Sequence, residues 1–223
     1  MPSLRSKFWS IIISRLIMKA GEINGPDDIR RDMSGDKISF LRDNWKKEEY
    51  IDYIDDSIGS LEILKLNNKK VTSNKTLLYL HGGGYVACGP ETHGALITQL
   101  SLITNCHVVF PIYRLAPENP FPAAIEDALA SYKNLLEVGI NPNEIFIAGD
   151  SAGGGLTLAL LQKIKSEELP MPSCAIVISP WTDLTLSGNS IQERGHRDPM
   201  IKPGPNMQVT VNAYCGDENP SNP

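Results

Sequence analysis

Two glycine-rich stretches carry the residues of this sequence that could do chemistry. The first is Gly149-Asp150-Ser151-Ala152-Gly153-Gly154, entered from the apolar run Ile145-Phe146-Ile147-Ala148 and followed by a helix-forming segment. The spacing Gly-x-Ser-x-Gly reads as a serine on a sharp strand-to-helix turn, because a side chain at either flanking glycine would collide where strand and helix cross. Such a turn lifts the Ser151 hydroxyl above the sheet and aims the N-terminal amides of the helix at a nearby anion. The same pattern also occurs as a packing joint or a phosphate loop, so alone it does not decide the chemistry. The second stretch is His81-Gly82-Gly83-Gly84-Tyr85, reached directly from the unbroken apolar run Leu77-Leu78-Tyr79-Leu80. Three successive glycines free the backbone to turn its amides inward. Preorganised N–H donors around the oxyanion of an acyl transfer supply roughly 3 kcal/mol each. The donors this predicts are Gly83 and Gly84, joined by Ala152.

A His-Gly-Gly-Gly loop ahead of a Gly-x-Ser-x-Gly turn is the pairing of oxyanion hole and nucleophile found in α/β-hydrolases. Three further motifs stand in order with these two: Tyr113-Arg114-Leu115-Ala116-Pro117-Glu118, Phe121-Pro122-Ala123-Ala124 and Ser179-Pro180-Trp181-Thr182-Asp183. From Tyr79 to Asp183 the chain therefore resembles the hormone-sensitive-lipase family of esterases. The resemblance implies a serine carboxylesterase acting on short- to medium-chain acyl esters. Ser151 would be its catalytic nucleophile, Gly83, Gly84 and Ala152 its oxyanion hole, and no metal or organic cofactor would take part. It also implies a helical cap over the site. The plant gibberellin receptors resemble the same family and bind ligand instead, so a non-catalytic, receptor-like protein is the alternative.

A serine hydroxyl is a weak nucleophile until a base takes its proton, and in this fold the order is Ser, then Asp or Glu, then His. After Ser151 the only histidine is His196, in the polar stretch 192–198 with no strand before it. In the resembling family the acid and histidine lie on two further strand-end loops. The expectation is an N-terminal fragment that ends short of both and hydrolyses esters very slowly or not at all alone. Other conspicuous residues receive structural readings. His81 shapes the glycine loop, Asp150 points away from Ser151, Arg114 and Glu118 fix a loop beneath the site by ion pairing, and Asp183, beyond a strand end where an acid could orient a histidine, is read as structural because the resembling family places its acid later.

The elements that must position these groups follow from periodicity. Residues 50–55 and 61–66 alternate as a hairpin, with 56–60 as its turn. The apolar runs 77–80, 108–113, 145–149 and 174–179 are buried strands. Between them, a helix over 91–104 carries Leu96, Leu100 and Ile103 on one stripe. A second helix runs from Pro122 with Ile125, Ala128, Leu129, Tyr132, Leu135 and Leu136 inward and Gly139 just past its end, and a third spans 156–164 with Leu160 and Leu161 inward. Strands alternating with helices predict an α/β fold, a mostly parallel sheet with right-handed crossovers and helices on both faces. Its sites sit at the carboxyl ends of strands, where both glycine stretches fall.

The expected divisions are an N-terminal helical cap over 1–48, a partial hydrolase core over 49–183 and a second, truncated cap segment over 184–223. At 223 residues the chain can bury one core, and a net charge of -5 without a basic stripe gives no reason to expect nucleic acid. Small ester substrates suit it better. Residues 8–18 are apolar but too short to span a bilayer and interrupted by Arg15, so they read as a cap helix without stable membrane association. Cys88, Cys106, Cys174 and Cys215 show no C-x-x-C spacing, which points away from a zinc site or a disulfide framework and toward a cytoplasmic home. A homo-oligomer, or a second polypeptide that completes the sheet and the triad, stays open.

Overall fold

The computed structural model describes residues 25–33, 46, 48–198 and 205–221. The cap helix expected over 8–18 lies outside the described residues. Helix α1 (Pro26–Met33) precedes the hairpin β1 (Ile51–Ile58) and β2 (Leu61–Asn68). There follow β3 (Thr76–Leu80), α2 (Pro90–Thr104), β4 (His107–Pro111), α3 (Ala123–Glu137), β5 (Ile145–Asp150), α4 (Ser151–Ser166) and β6 (Cys174–Ile178). Two short helices, α5 (Asn189–Arg194) and α6 (Pro205–Cys215), come after the last strand.

The sheet order is β1-β2-β4-β3-β5-β6. The hairpin strands pair antiparallel, β2 pairs antiparallel with β4, and β4-β3-β5-β6 form the parallel block that the alternating pattern predicts. Period-two alternation splits the strands between two cores. Leu78, Leu80 and Ile147 pack with α3 and α4 on one face, while Leu77, Tyr79 and Phe110 pack with Ile97 of α2 on the other.

Two local readings need correction. Strand β1 runs to Ile58, so the hairpin turns on Gly59 and Ser60 alone, Gly59 taking φ +59°. Asp56 and Ser57, read as part of the turn, are exposed rungs of the ladder, with Asp56 ion-paired to Lys65 of β2. On α2 the buried positions are Gly94, Ile97, Thr98 and Ser101, whereas Leu96 and Ile103 are exposed. The helix lies on the sheet by a face of small and polar residues. Ser101 Oγ donates to the Cys106 carbonyl (2.8 Å), and the Asn68 amide of β2 reaches the Ser101 carbonyl (3.3 Å).

The outer strand β6 is unusual. Its sequence is wholly apolar, yet only Val177 is even partly covered, and Ile176 and Ile178 are 50% and 43% exposed. Strands that apolar are normally covered on both faces, and an apolar edge is an open template for another strand.

Candidate active site

Because β3 and β5 are neighbours in register, Leu80 against Gly149, the segments leaving their carboxyl ends lie side by side. The segment after β3 is the glycine loop. Gly83 and Gly84 hold φ values of +121° and +64°, left-handed backbone that L side chains rarely adopt. No described residue accepts a hydrogen bond from either of their amides. The segment after β5 is the serine turn. Ser151 is both the first residue of α4 and a non-glycine residue at φ +51°, a strained conformation of the kind that collects at functional sites. As a first-turn residue of that helix, Ala152 has no intrahelical acceptor for its amide.

Backbone contact locks the two segments together. A Cβ on Gly153 would stand 2.0 Å from the Leu80 carbonyl oxygen and 2.4 Å from that of His81, and one on Gly149 would stand 2.3 Å from the Gly153 oxygen. The predicted collision at the flanking glycines is therefore real, and its partner is the start of the glycine loop itself. From the other side the Trp181 amide donates to the Ser151 carbonyl (2.8 Å). A groove of about 810 Å³ runs between α3 and α4, lined by Tyr85, Phe121, Leu129, Leu158, Trp181 and Tyr214 among others; it takes in Gly155 of α4 but not Ser151, Gly83 or Gly84.

The flanking residues fall where the sequence suggests, with different partners. His81 is fully buried, its ring stacked on Tyr113 at 4.2 Å and on Phe110 at 5.4 Å. Burial pushes its imidazole down to about 3, so it stays neutral and shapes the loop. Arg114 pairs with Asp127 and Glu126 of α3. Glu118 instead receives Arg30 of α1. Both oxygens of Asp183 are taken by the backbone and hydroxyls of Thr185 and Ser187. His196 is exposed on a 3-10 turn, Gly195–Arg197. Among the described residues no histidine hydrogen-bonds to the Ser151 hydroxyl.

Two positioning features escaped the sequence reading. Asp150 does more than point away from Ser151: it accepts from the Tyr79 hydroxyl (2.9 Å), the Gly82 amide (3.0 Å) and His93 Nε2 (3.5 Å). Burial alone would raise its pKa, but His93, Tyr79 and Gly82 outweigh it and hold the carboxyl below its ordinary range. The second feature is Arg30. Its guanidinium donates to the carbonyls of Val86 and Ala116 (2.7 Å each) and to Glu118 (2.6 Å), tying α1 to the glycine loop and the loop after β4.

The Arg30 clamp has a pH sign. Arg30 holds the Glu118 carboxyl down to about 2, so its contribution is complete above the ordinary carboxylate range and fades as pH falls toward about 2. We expect amide protection over α1, corrected for intrinsic exchange, to be level from neutral pH to about 5 and to drop below about 4. Arg30→Met should remove it at all pH values while changing overall stability by under about 1 kcal/mol, because the pair is largely exposed. Unaltered protection in that variant would show that the clamp does not hold the helix.

A family profile described as the alpha/beta hydrolase fold matches residues 77–223. An acetyl-hydrolase of Streptomyces hygroscopicus is 40% identical over 149 residues, 67% of this chain and 50% of that protein. The chain thus spans about half the length of the curated relatives it matches. Among solved structures, EstE5 soaked with ethyl alcohol superposes with a TM-score of 0.88 at 32% identity, covering 100% of this chain and 72% of that one. An esterase from the bacterial hormone-sensitive lipase family gives 0.87 at 30% identity, covering 100% and 73%. No described helix is long and apolar enough to cross a membrane.

Proposed function

We infer that this chain, which belongs to the α/β-hydrolase family and within it to the hormone-sensitive-lipase type, carries the nucleophile and oxyanion hole of a serine carboxylesterase. Ser151 Oγ attacks the ester carbonyl carbon, and the carbonyl electron pair moves onto oxygen. The amides of Gly83, Gly84 and Ala152 donate to that oxyanion. Collapse breaks the bond to the alcohol, which leaves with the proton that Ser151 gave to its base. Water attacks the acyl-enzyme by the same route and frees the acid. No metal or organic cofactor enters these steps. The observation that carries the reading is the backbone contact of Gly149 and Gly153 with Leu80 and His81, which leaves no room between serine turn and glycine loop.

The substrates we assign are short- to medium-chain acyl esters. Their acyl chain would lie in the groove between Tyr85, Trp181 and Tyr214, whose lining gives it apolar contact. The divisions of the chain fit this use. We assign the chemistry to the core over 49–183 and a covering role to the flanking segments 1–48 and 184–223, on the strength of two contacts made by their described residues. Arg30 of the first grips the glycine loop, and Thr210 of the second stands so close to Gly84 that a Cβ there would meet its methyl at 2.7 Å.

The base is a histidine that reaches Ser151 on polypeptide docked against the exposed edge of β6. The apolar, uncovered strand and the greater length of the relatives support this. The lack of a histidine on Ser151 among the described residues favours a second reading, ligand binding without turnover. A fluorophosphonate probe separates the two when imidazole is supplied as an exogenous base. Esterase machinery gives one adduct on the Ser151 peptide, absent in Ser151→Ala; a mere ligand pocket gives none.

A further inference from the structure

We propose that His93 is a positioning residue: by gripping Asp150 it fixes the Gly82 amide, and with it the glycine loop, against the serine turn. The proposal rests on the reading of Ser151 and the glycine amides as the reacting pair, and it concerns a residue that touches neither.

Asp150 is bonded to Ser151 along the chain and hydrogen-bonded to Gly82 across the sheet end (3.0 Å), so its carboxylate bridges nucleophile and oxyanion donors. The bridge has no slack on the loop side, since a Cβ at Gly82 would lie 2.3 Å from Asp150 Oδ2. It does have slack on the other. A quarter of the Asp150 side chain is exposed (25%), and water competes there for the same oxygens. Two side chains hold it in place: the Tyr79 hydroxyl from β3 on Oδ1 (2.9 Å) and His93 Nε2 from α2 on Oδ2 (3.5 Å).

The His93 ring is itself fixed. With Nε2–H turned to Asp150, its Nδ1 accepts from the Thr92 hydroxyl (2.8 Å), and that oxygen caps α2 by accepting from the Gly89 amide (3.1 Å). The ring also packs against those of His81 (5.5 Å) and Tyr79 (6.4 Å). The cap of α2 therefore sets the imidazole, the imidazole sets the carboxylate, and the carboxylate sets the loop. Oxyanion donors act over a narrow range of distance, and a displacement of about 1 Å costs on the order of 100-fold in rate.

The experiment compares the wild-type chain with His93→Leu and His93→Gln, because a glutamine amide can present a donor where Nε2 stood. We expect His93→Leu to speed Gly82 amide exchange about tenfold or more and to slow Ser151 phosphonylation by about 10- to 100-fold. His93→Gln should return both to within about threefold of wild type, and exchange in β4 and β5 should not move. Unchanged Gly82 protection in His93→Leu, or a rise spread evenly over the sheet, overturns the proposal. If His93→Leu does not fold, Thr92→Val replaces it, because it frees the ring at Nδ1, and unchanged Gly82 exchange there is equally fatal. A wild-type chain without any Ser151 adduct ends the nucleophile reading instead, while the Gly82 exchange comparison still decides what His93 holds.

Discussion

Gly153→Ala is expected to leave little or no folded protein, at a cost of about 4 kcal/mol or more. The added methyl would sit 2.0 Å from the Leu80 oxygen and 2.4 Å from the His81 oxygen, both backbone atoms at the end of a central strand. A flexible side chain could swing aside, but these carbonyls cannot move without breaking the pairing of β3 with β5. Ordinary overpacking costs about 1–3 kcal/mol; a clash with a sheet carbonyl exceeds that, and natural domains hold only about 5–15 kcal/mol in all. Two other glycines calibrate the effect. Gly59 has φ +59° and open space, so its alanine variant should lose only the left-handed strain, about 1–2 kcal/mol. Gly25 has neither a positive φ nor a neighbour within 4 Å, and its replacement should be close to neutral. At about 2–4 °C per kcal/mol for a domain of this size, thermal melts should rank the three plainly. A soluble Gly153→Ala chain melting within a few degrees of wild type would mean that serine turn and glycine loop are not packed as described.

That contact also marks how far the sequence could be read. The glycines around Ser151 and after His81 were legible because the backbone there tolerates nothing else, so the constraint is written at the positions that bear it. Strand and helix alternation located the parallel block for a similar reason: a strand buried on both faces must be apolar throughout. The stripe on α2 misled because apolar periodicity assumes that the buried face is the oily one. Here Gly94 and Ser101 let the helix approach the sheet closely, and Leu96 and Ile103 are left exposed. The hairpin turn was placed too early because Asp56 and Ser57 are polar, although an exposed strand edge is a normal place for polar residues. Arg30 and His93 were invisible for a different reason. Arg30 meets Glu118 across 88 positions and His93 meets Asp150 across 57, and nothing local to either residue announces a partner so distant. Glu118 showed the difficulty in miniature. An ion pair was expected for it, but the cation comes from a helix ahead of the sheet rather than from its own loop.

The second large effect concerns turnover. The 223-residue chain alone is expected to hydrolyse an activated butyrate ester at on the order of 10⁻⁴ or less of an ordinary esterase rate, because triad members act as a unit and loss of the base alone costs about 10⁶-fold in kcat in the best-studied serine hydrolase. Each of its four histidines has other work or none. His81 is stacked, buried and kept neutral; His93 is spent on Asp150 and Thr92; His107 Nδ1 accepts the Asn68 amide (3.2 Å); and His196 is exposed on its turn. What the proposed reading leaves to the chain is an oxyanion hole, which is worth something without a base: serine hydrolases stripped of their triad still run about 10³- to 10⁴-fold above water. The expected signature is therefore a slow hydrolysis that Ser151→Ala lowers little. A polypeptide that pairs with β6 and brings a histidine to Ser151 should raise the rate by at least about 10³-fold and make it wholly dependent on that serine. Ser151-dependent turnover at ordinary esterase rates from the chain alone would show that a base is already in place, and the proposed docking on β6 would lose its purpose.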